Sequence, residues 1–414
     1  SNLRLGVNAG NSIASGGNNN TLIGDEAGTA LTTGDSNVAV GKDALRTEDA
    51  HGKNVAVGMN ALEDLNAGAD GENVAVGNEA GAEMTLGIKN VLVGSQAGDA
   101  LTHADFNVAV GMGSLTSDTL GSKSVAIGTF ALLAQNFTTA TDSHNTAVGD
   151  GAGKAVTTGI QNTLIGSSAG DALTDADFNT AVGMVALSSD TLGSKSTALG
   201  YAALEAQNFT TATDTFNTAL GFNAGALVTT GIQNTIVGGL AGDSLTTGSY
   251  NDAFGLNALT SNTGSQRNVA LGYGALLAFN VATATDTYNT AVGNLAGTSV
   301  TTGVQNTLIG GLAGDALTDA DFNVAVGYAA LGGDTLGSRS TAIGHGALFA
   351  QNFTTATDTY NVAVGYQAGV AVTTGTQNTF LGGIAGLAMT EGSFNIAVGI
   401  GALDADTLGS RSVA

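Results

Sequence analysis

A short phrase, Asn–Thr/Val–Ala–Val/Ile–Gly–x–x–Ala, returns 23 times along the 414 residues, first at Asn2, and a further copy opens at Ser412. NTAVGDGA at residues 145–152 is a representative copy. A fixed short period commits a chain to stacked repeats, in which each unit buries its apolar side only against its neighbours. Such chains serve as rods, spacers or binding surfaces far more often than as enzymes.

With the motif Asn counted as position 0, most copies lie 17 residues apart, with a 21-residue step once in four. From Asn73 onward this builds a strict 72-residue super-repeat of four coils, termed A, B, C and D. The reading is one continuous solenoid over 1–414, with super-repeats at 2–72, 73–144, 145–216, 217–288, 289–360 and an incomplete 361–414.

Each copy reads as one coil of an all-β, parallel β-solenoid. Position 3 is Val, Ile, Leu or Phe in every coil, so it is expected to point into the core, and position 1 shares that face by the period of two. Asp252, at position 1, is an exception. Gly at position 4 suits a chain that must turn tightly with positive φ. Glycine density, β-branched content and the 17-residue spacing oppose a helix. A volume trade supports a single core: Gly at position 8 goes with a large aliphatic at position 11 (Gly153 with Val156, Gly170 with Leu173), and Leu at 8 with a polar residue (Leu187 with Asp190, Leu204 with Gln207). Leu65 and Phe279 break that rule.

The surface carries three further patterns. The residue before each Asn runs aromatic, cation, aromatic (once His) and Gln down successive coils: Phe178, Lys195, Phe216, Gln233, Tyr250, Arg267, Tyr288, Gln305, Phe322, Arg339, Tyr360. With rungs about 4.8 Å apart, each cation is expected between two rings, a structural cation–π column; a ligand-binding stripe is the other reading. The motif Asn is expected to form an amide ladder. Position 2 is Ala in most coils but large in B coils: Leu22, Leu92, Leu164, Ile236, Leu308, Phe380. Facing away from the expected core, Leu92, Leu164, Ile236, Leu308 and Phe380 become interface candidates; cover by the coil's own loop is the alternative.

A net charge of −23, from 34 acidic and 11 basic residues, argues against nucleic-acid binding. No apolar stretch approaches a membrane span, and without Cys there is neither disulfide frame nor thiolate metal site, a composition suited to life outside the cytosol. The chain is expected to be a segment of a longer protein, since it lacks an initiator Met and stops inside a repeat.

SVAIG at 124–128, STAIG at 340–344 and the many NTAVG copies resemble the head repeats of trimeric autotransporter adhesins. NVAVGYQAG at 361–369 is similar to repeats in tail-fibre proteins of bacterial viruses. The resemblance implies a left-handed β-roll, three chains side by side, with the flanking aliphatics inward and the Gly at the turn. It also implies an extracellular place, on a virion or a bacterial surface, and a host receptor or glycan as partner.

Candidate sites are few. Asp171, Asp175 and Asp177, and likewise Asp315, Asp319 and Asp321, place three carboxylates in one turn and are candidate Ca²⁺ ligands. The Tyr250 copy keeps only Asp243, so that coil does without a metal. No other cofactor is expected. The D-coil insertions carry Phe137, Phe209 and Phe353, either as exposed glycan contacts or, the favoured reading, folded back over the coil edge. The four His fall in no metal-ligand spacing, and no catalytic set stands out, so a non-enzyme is expected. The leading expectation is a structural, adhesive fibre shaft of about 110 Å presenting a receptor-binding tip. The alternative is a glycan- or ice-binding solenoid acting through its loops or Thr-rich turns.

Overall fold

Each motif copy places a three-residue strand at positions 1–3, as at Thr146–Val148 and Thr163–Ile165. Successive strands pair in parallel and in register, with Thr146 opposite Thr163, Ala147 opposite Leu164 and Val148 opposite Ile165. The computed structural model describes residues 1–414 as an all-β parallel solenoid of about 23 coils with no helix, hence no helix long and apolar enough to cross a membrane. It comprises two compact units: Ser1–Ala202 with Gln207–Asp214, and Ala203–Ala206 with Thr215–Ala414. The first holds twelve motif strands, from Leu3–Leu5 to Thr197–Leu199, and the second eleven, from Thr218–Leu220 to Ile396–Val398.

The expected strand positions hold, but the faces are reversed. Position 2 points inward: Ala147, Ala181 and Ala219 are fully buried. Positions 1 and 3 point outward, and Ile165, Ile309 and Ile343 at position 3 are 38 or 39% exposed. Asp252 at position 1 therefore sits on the outside and needs no special account. Leu92, Leu164, Ile236, Leu308 and Phe380, read as interface candidates, are fully buried core residues.

The reason is the narrowness of the interior. Opposite the strand, the Ala at position 7 and residues 8 and 11 fill the coil, leaving room at position 2 for a methyl group. Only Gly at position 8 opens more space, and the B-coil side chain fills it. A Cβ placed on Gly153 or on Gly170 would come 2.7 Å from a Leu164 methyl, so one leucine occupies the gap left by two glycines. Burying such a leucine contributes roughly 2 kcal/mol.

Backbone geometry makes Gly at position 4 obligatory. At Gly149 φ is +141°, and a Cβ there would collide with the carbonyl of Gly166 in the next coil.

The motif Asn closes each coil to its neighbour. The Asn145 side-chain amide donates to the Gly159 carbonyl at 2.8 Å, and its Oδ1 accepts the Asn162 backbone N–H at 2.9 Å. The ladder thus joins side chain to backbone, satisfying groups that would otherwise be buried unpaired.

Where position 11 is polar, it too is buried. Asp118 Oδ1 accepts the N–H groups of Gly121 and Phe137 at 3.0 and 3.1 Å, and its Oδ2 accepts from Gln135 Nε2 at 2.6 Å. The same amide nitrogen donates to Ser124 Oγ at 2.8 Å, and Gln135 Oε1 accepts from Asn145 at 2.8 Å. In the D insertions Phe137, Phe209 and Phe353 are 5 to 7% exposed, folded against the coil.

Candidate functional site

The residue before each Asn takes a left-handed backbone (φ 61° at Tyr250, 62° at Arg267) with its side chain on the surface. Arg267 lies 4.6 Å from the Tyr250 ring centroid and 6.0 Å from that of Tyr288. Arg339 repeats those distances to Phe322 and Tyr360. Each guanidinium also meets an aspartate of the D insertion at 3.0 Å, Asp286 or Asp358. Lys123 and Lys195 meet the equivalent Asp142 and Asp214 at 2.5 Å. Phe178 and Phe216, from the coils either side of Lys195, are about half exposed. Rings thus engage the two arginines and a carboxylate engages each of the four cations, a solvent-screened surface device.

The calcium candidates do not converge. The three His, Cys, Asp or Glu side chains whose ligand atoms come within 4.8 Å of one another are Glu48, Asp49 and His51, not the aspartate triads. Asp175 accepts the Thr158 hydroxyl at 2.6 Å and Asp177 the Ile160 N–H at 2.7 Å; Asp319 accepts the Thr302 hydroxyl and Asp321 the Val304 N–H at 2.7 Å. These four bind the preceding coil to their own, while Asp171 and Asp315 sit at position 9, farther back in the turn. Glu48 is fully buried at position 11, where it accepts from His51 Nδ1 at 3.2 Å and the Ala67 N–H at 3.3 Å. It is the opening set's version of Asp118. Nothing in the repeat pattern marks this pairing, because His51 occurs in one irregular copy only.

Position 9 of four of the six B coils is a half-buried aspartate. Burial pushes Asp171, Asp243 and Asp315 above the ordinary carboxylate range and Asp99 to about 6. Asp99 belongs to an acidic recess with Glu63, Glu79 and Glu83, beside Arg46. At Asp171 the charge of Lys154 offsets part of the shift, and that ammonium stands 5.9 Å from the Phe130 ring centroid.

In the second unit a groove of about 520 Å³ opens beside Asp315. Its floor is Ala329 and Gly346, two small residues at position 6 of successive coils. One wall is the position-5 row, where His345 stacks between Tyr328 and Tyr366 at 5.4 Å from each. The other is the position-9 row of Asp315, Gly332, Phe349 and Val370. No sequence reading singled out this groove. Its signal is two small residues in succession at position 6 beside rings at positions 5 and 9.

The sequence matches no protein-family model, and it matches no curated protein.

Proposed function

We propose that this chain is a structural, adhesive fibre segment: a stiff shaft that holds a receptor-binding tip away from a phage tail or a bacterial surface, outside the cell. The observation that carries this reading is the uninterrupted rung-by-rung register within each unit. Every motif strand pairs with its neighbour residue for residue, and the Asn ladder satisfies the buried backbone between them. Such a stack resists bending and proteolysis by distributing load over many identical hydrogen bonds.

The reversed faces supply the contact for a side-by-side homotrimer of left-handed rolls. Positions 1 and 3 form an outer strip of Val, Ile, Leu and Thr that is almost free of charge, so copies of a −23 chain can meet there without opposing carboxylates. Over the eleven or twelve strands of one unit the strip covers about 600 Å², near the ~800 Å² a partner gives to a stable interface. A partner matched to every rung has the same axial repeat, as a second copy of this chain does.

Light scattering on the purified chain should give three times the 40.4 kDa chain mass. A combined Ile309→Asp, Val326→Asp, Ile343→Asp variant should dissociate while keeping its circular dichroism. A monomeric wild type, or a variant still trimeric, overturns the proposed association. Leu164→Asp, by contrast, should unfold its coil, because Leu164 lies in the core.

A further inference from the structure

The groove beside Asp315 has a chemistry that a shaft does not need. At position 9 the neighbouring C and D coils of other super-repeats carry Thr116 and Leu133, Ser188 and Glu205, or Thr260 and Leu277. Here they carry Gly332 and Phe349. A Cβ on Gly332 would lie 3.2 Å from Asp315 Oδ1, 3.3 Å from the Ala329 carbonyl oxygen and 3.4 Å from the Phe349 ring, so only a glycine leaves this small gap open, with two oxygens on one side and an aromatic ring on the other. The Asp315 carboxylate has no cation of this chain against it, and burial raises its pKa. Beyond the gap the groove continues over Ala329 and Gly346, between the Tyr328–His345 stack and Val370.

At the corresponding Asp171 the carboxylate is served from its other side: Lys154, at position 9 of the preceding coil, opposes part of the rise in pKa, and its ammonium stands 5.9 Å from the Phe130 ring centroid. In the coil preceding Asp315 the residue equivalent to Lys154 is Thr298, and no such ammonium is supplied. We propose that this groove binds a small organic ammonium with an apolar body, the ammonium in the Gly332 gap between Asp315 and Phe349 and the body along the Ala329–Gly346 floor. The volume suits a ligand of roughly ten to twenty heavy atoms, within the ~300–1,000 Å³ range of small-molecule sites. A carboxylate and a ring acting together on one ammonium supply both charge assistance and a cation–π contact. The groove is built from positions 5, 6 and 9, none of them a row of the proposed association strip, so the two proposals stand or fall separately.

Calorimetric titration of the full chain tests this, with tryptamine as the probe and tryptophol, its neutral hydroxyl counterpart, as the control. Tryptamine should bind saturably at one site per chain and about tenfold more tightly than tryptophol. Asp315→Asn should remove that preference, and Leu387 at the same position of the next B coil indicates that the coil folds without the carboxylate. Ala329→Val should block both probes by filling the floor; Val185 holds the equivalent place with the same left-handed backbone. Asp171→Asn should change nothing. Equal affinity for the two probes, no saturation by about 10 mM, unchanged binding in Asp315→Asn, or an equal loss in Asp171→Asn would each overturn the site, the last by reducing it to diffuse attraction to an acidic chain.

Discussion

The super-repeats at 217–288 and 289–360 fill the same interior in two different ways. In the second, the C coil buries Asp334, and the D coil sets Ser340 at position 0 and Gln351 at position 11. Gln351 Nε2 donates to Asp334 Oδ2 and Ser340 Oγ, while its Oε1 accepts from Asn361. In the first, the equivalent residues are Asn262, Asn268 and Phe279, again all buried. Asn262 accepts the Ser265 N–H and hydroxyl and donates to the Ser265 carbonyl, so it is satisfied without a neighbour at position 11. Asn268 Oδ1 accepts the Asn289 N–H at 3.1 Å, restoring the ladder rung that Ser340 cannot supply and toward which Gln351 Oε1 accepts the Asn361 side-chain amide instead. The insertion follows suit. Phe353, folded against the coil, becomes Val281, and the pair Gly337–Ser338 with Thr357–Asp358 shrinks to a single bridge between Gln266 and Asp286. The buried charge appears where a donor faces it. In these two super-repeats the polar and apolar fillings are thus alternative sets, and exchanging one member alone leaves a buried group unpaired.

The most damaging way to break this contrast is to transplant one residue. Gln351→Phe leaves the Asp334 carboxylate without its side-chain donor and should destabilise the surrounding coils by about 3 kcal/mol. Hydrogen exchange resolved to those coils would register it, since a repeat array need not melt as one unit. Moving the whole set, Asp334→Asn, Ser340→Asn, Gln351→Phe and Phe353→Val, should recover most of that loss. Simple addition of the four single effects would show that the residues do not act as a set.

The reverse transplant should hurt somewhat less. Phe279→Gln places an amide where Asn262 and Asn268 are already satisfied and removes packed volume, an expected loss of about 2–3 kcal/mol. Adding Asn262→Asp and Asn268→Ser should recover part of it. Exchange rates in the 251–288 coils no worse after Phe279→Gln than in the wild type would contradict this account of the core.

These cores explain what could and could not be read in the sequence. The 17-residue period marks every motif strand correctly, because a backbone that must stack on itself repeats its turn glycines at fixed intervals. The trade between positions 8 and 11 reports a shared interior, and both residues are buried. Size points to the wrong face, because the larger aliphatics lie at positions 1 and 3 and size usually marks the core. In so narrow a coil Ala39 or Ala147 is what fits, and Val40 or Val148 is left outside. The clue was present in Leu164, which is large in a coil where position 8 is glycine. The buried Asp–Gln pairs were hidden for a related reason. A polar residue in a turn reads as solvated, and only the joint change of Asp334, Ser340 and Gln351 to Asn262, Asn268 and Phe279 betrays a contact. The groove at Asp315 escaped because it arises from small residues, which announce nothing in a chain with 63 glycines.

On the surface the two super-repeats should behave alike. Arg267 and Arg339 each meet rings at 4.6 and 6.0 Å and an aspartate at 3.0 Å. Replacing either with Gln should lower the melting temperature only slightly, by the same amount in both, because exposed pairs are screened by solvent. A marked difference between Arg267→Gln and Arg339→Gln would mean that the interior filling reaches the surface column.

The smallest expected effect concerns pH, and it too should be shared. Asp243 and Asp315 hold position 9 of the two B coils, and burial raises both above the ordinary carboxylate value. A raised folded-state pKa means that the group's stabilising contribution is fully present below the unfolded value and is lost as pH rises through the folded one. Each aspartate is therefore mildly unfavourable near neutrality. Asp243→Asn and Asp315→Asn should each raise the melting temperature slightly at about pH 7, and the gain should shrink as pH falls and vanish below the unfolded carboxyl value of about 3.9. A gain that persisted unchanged at the lower pH would trace the effect to packing instead of charge. A gain in one B coil alone would trace the difference to the neighbours at position 9, Thr260 and Leu277 beyond Asp243 but Gly332 and Phe349 beyond Asp315.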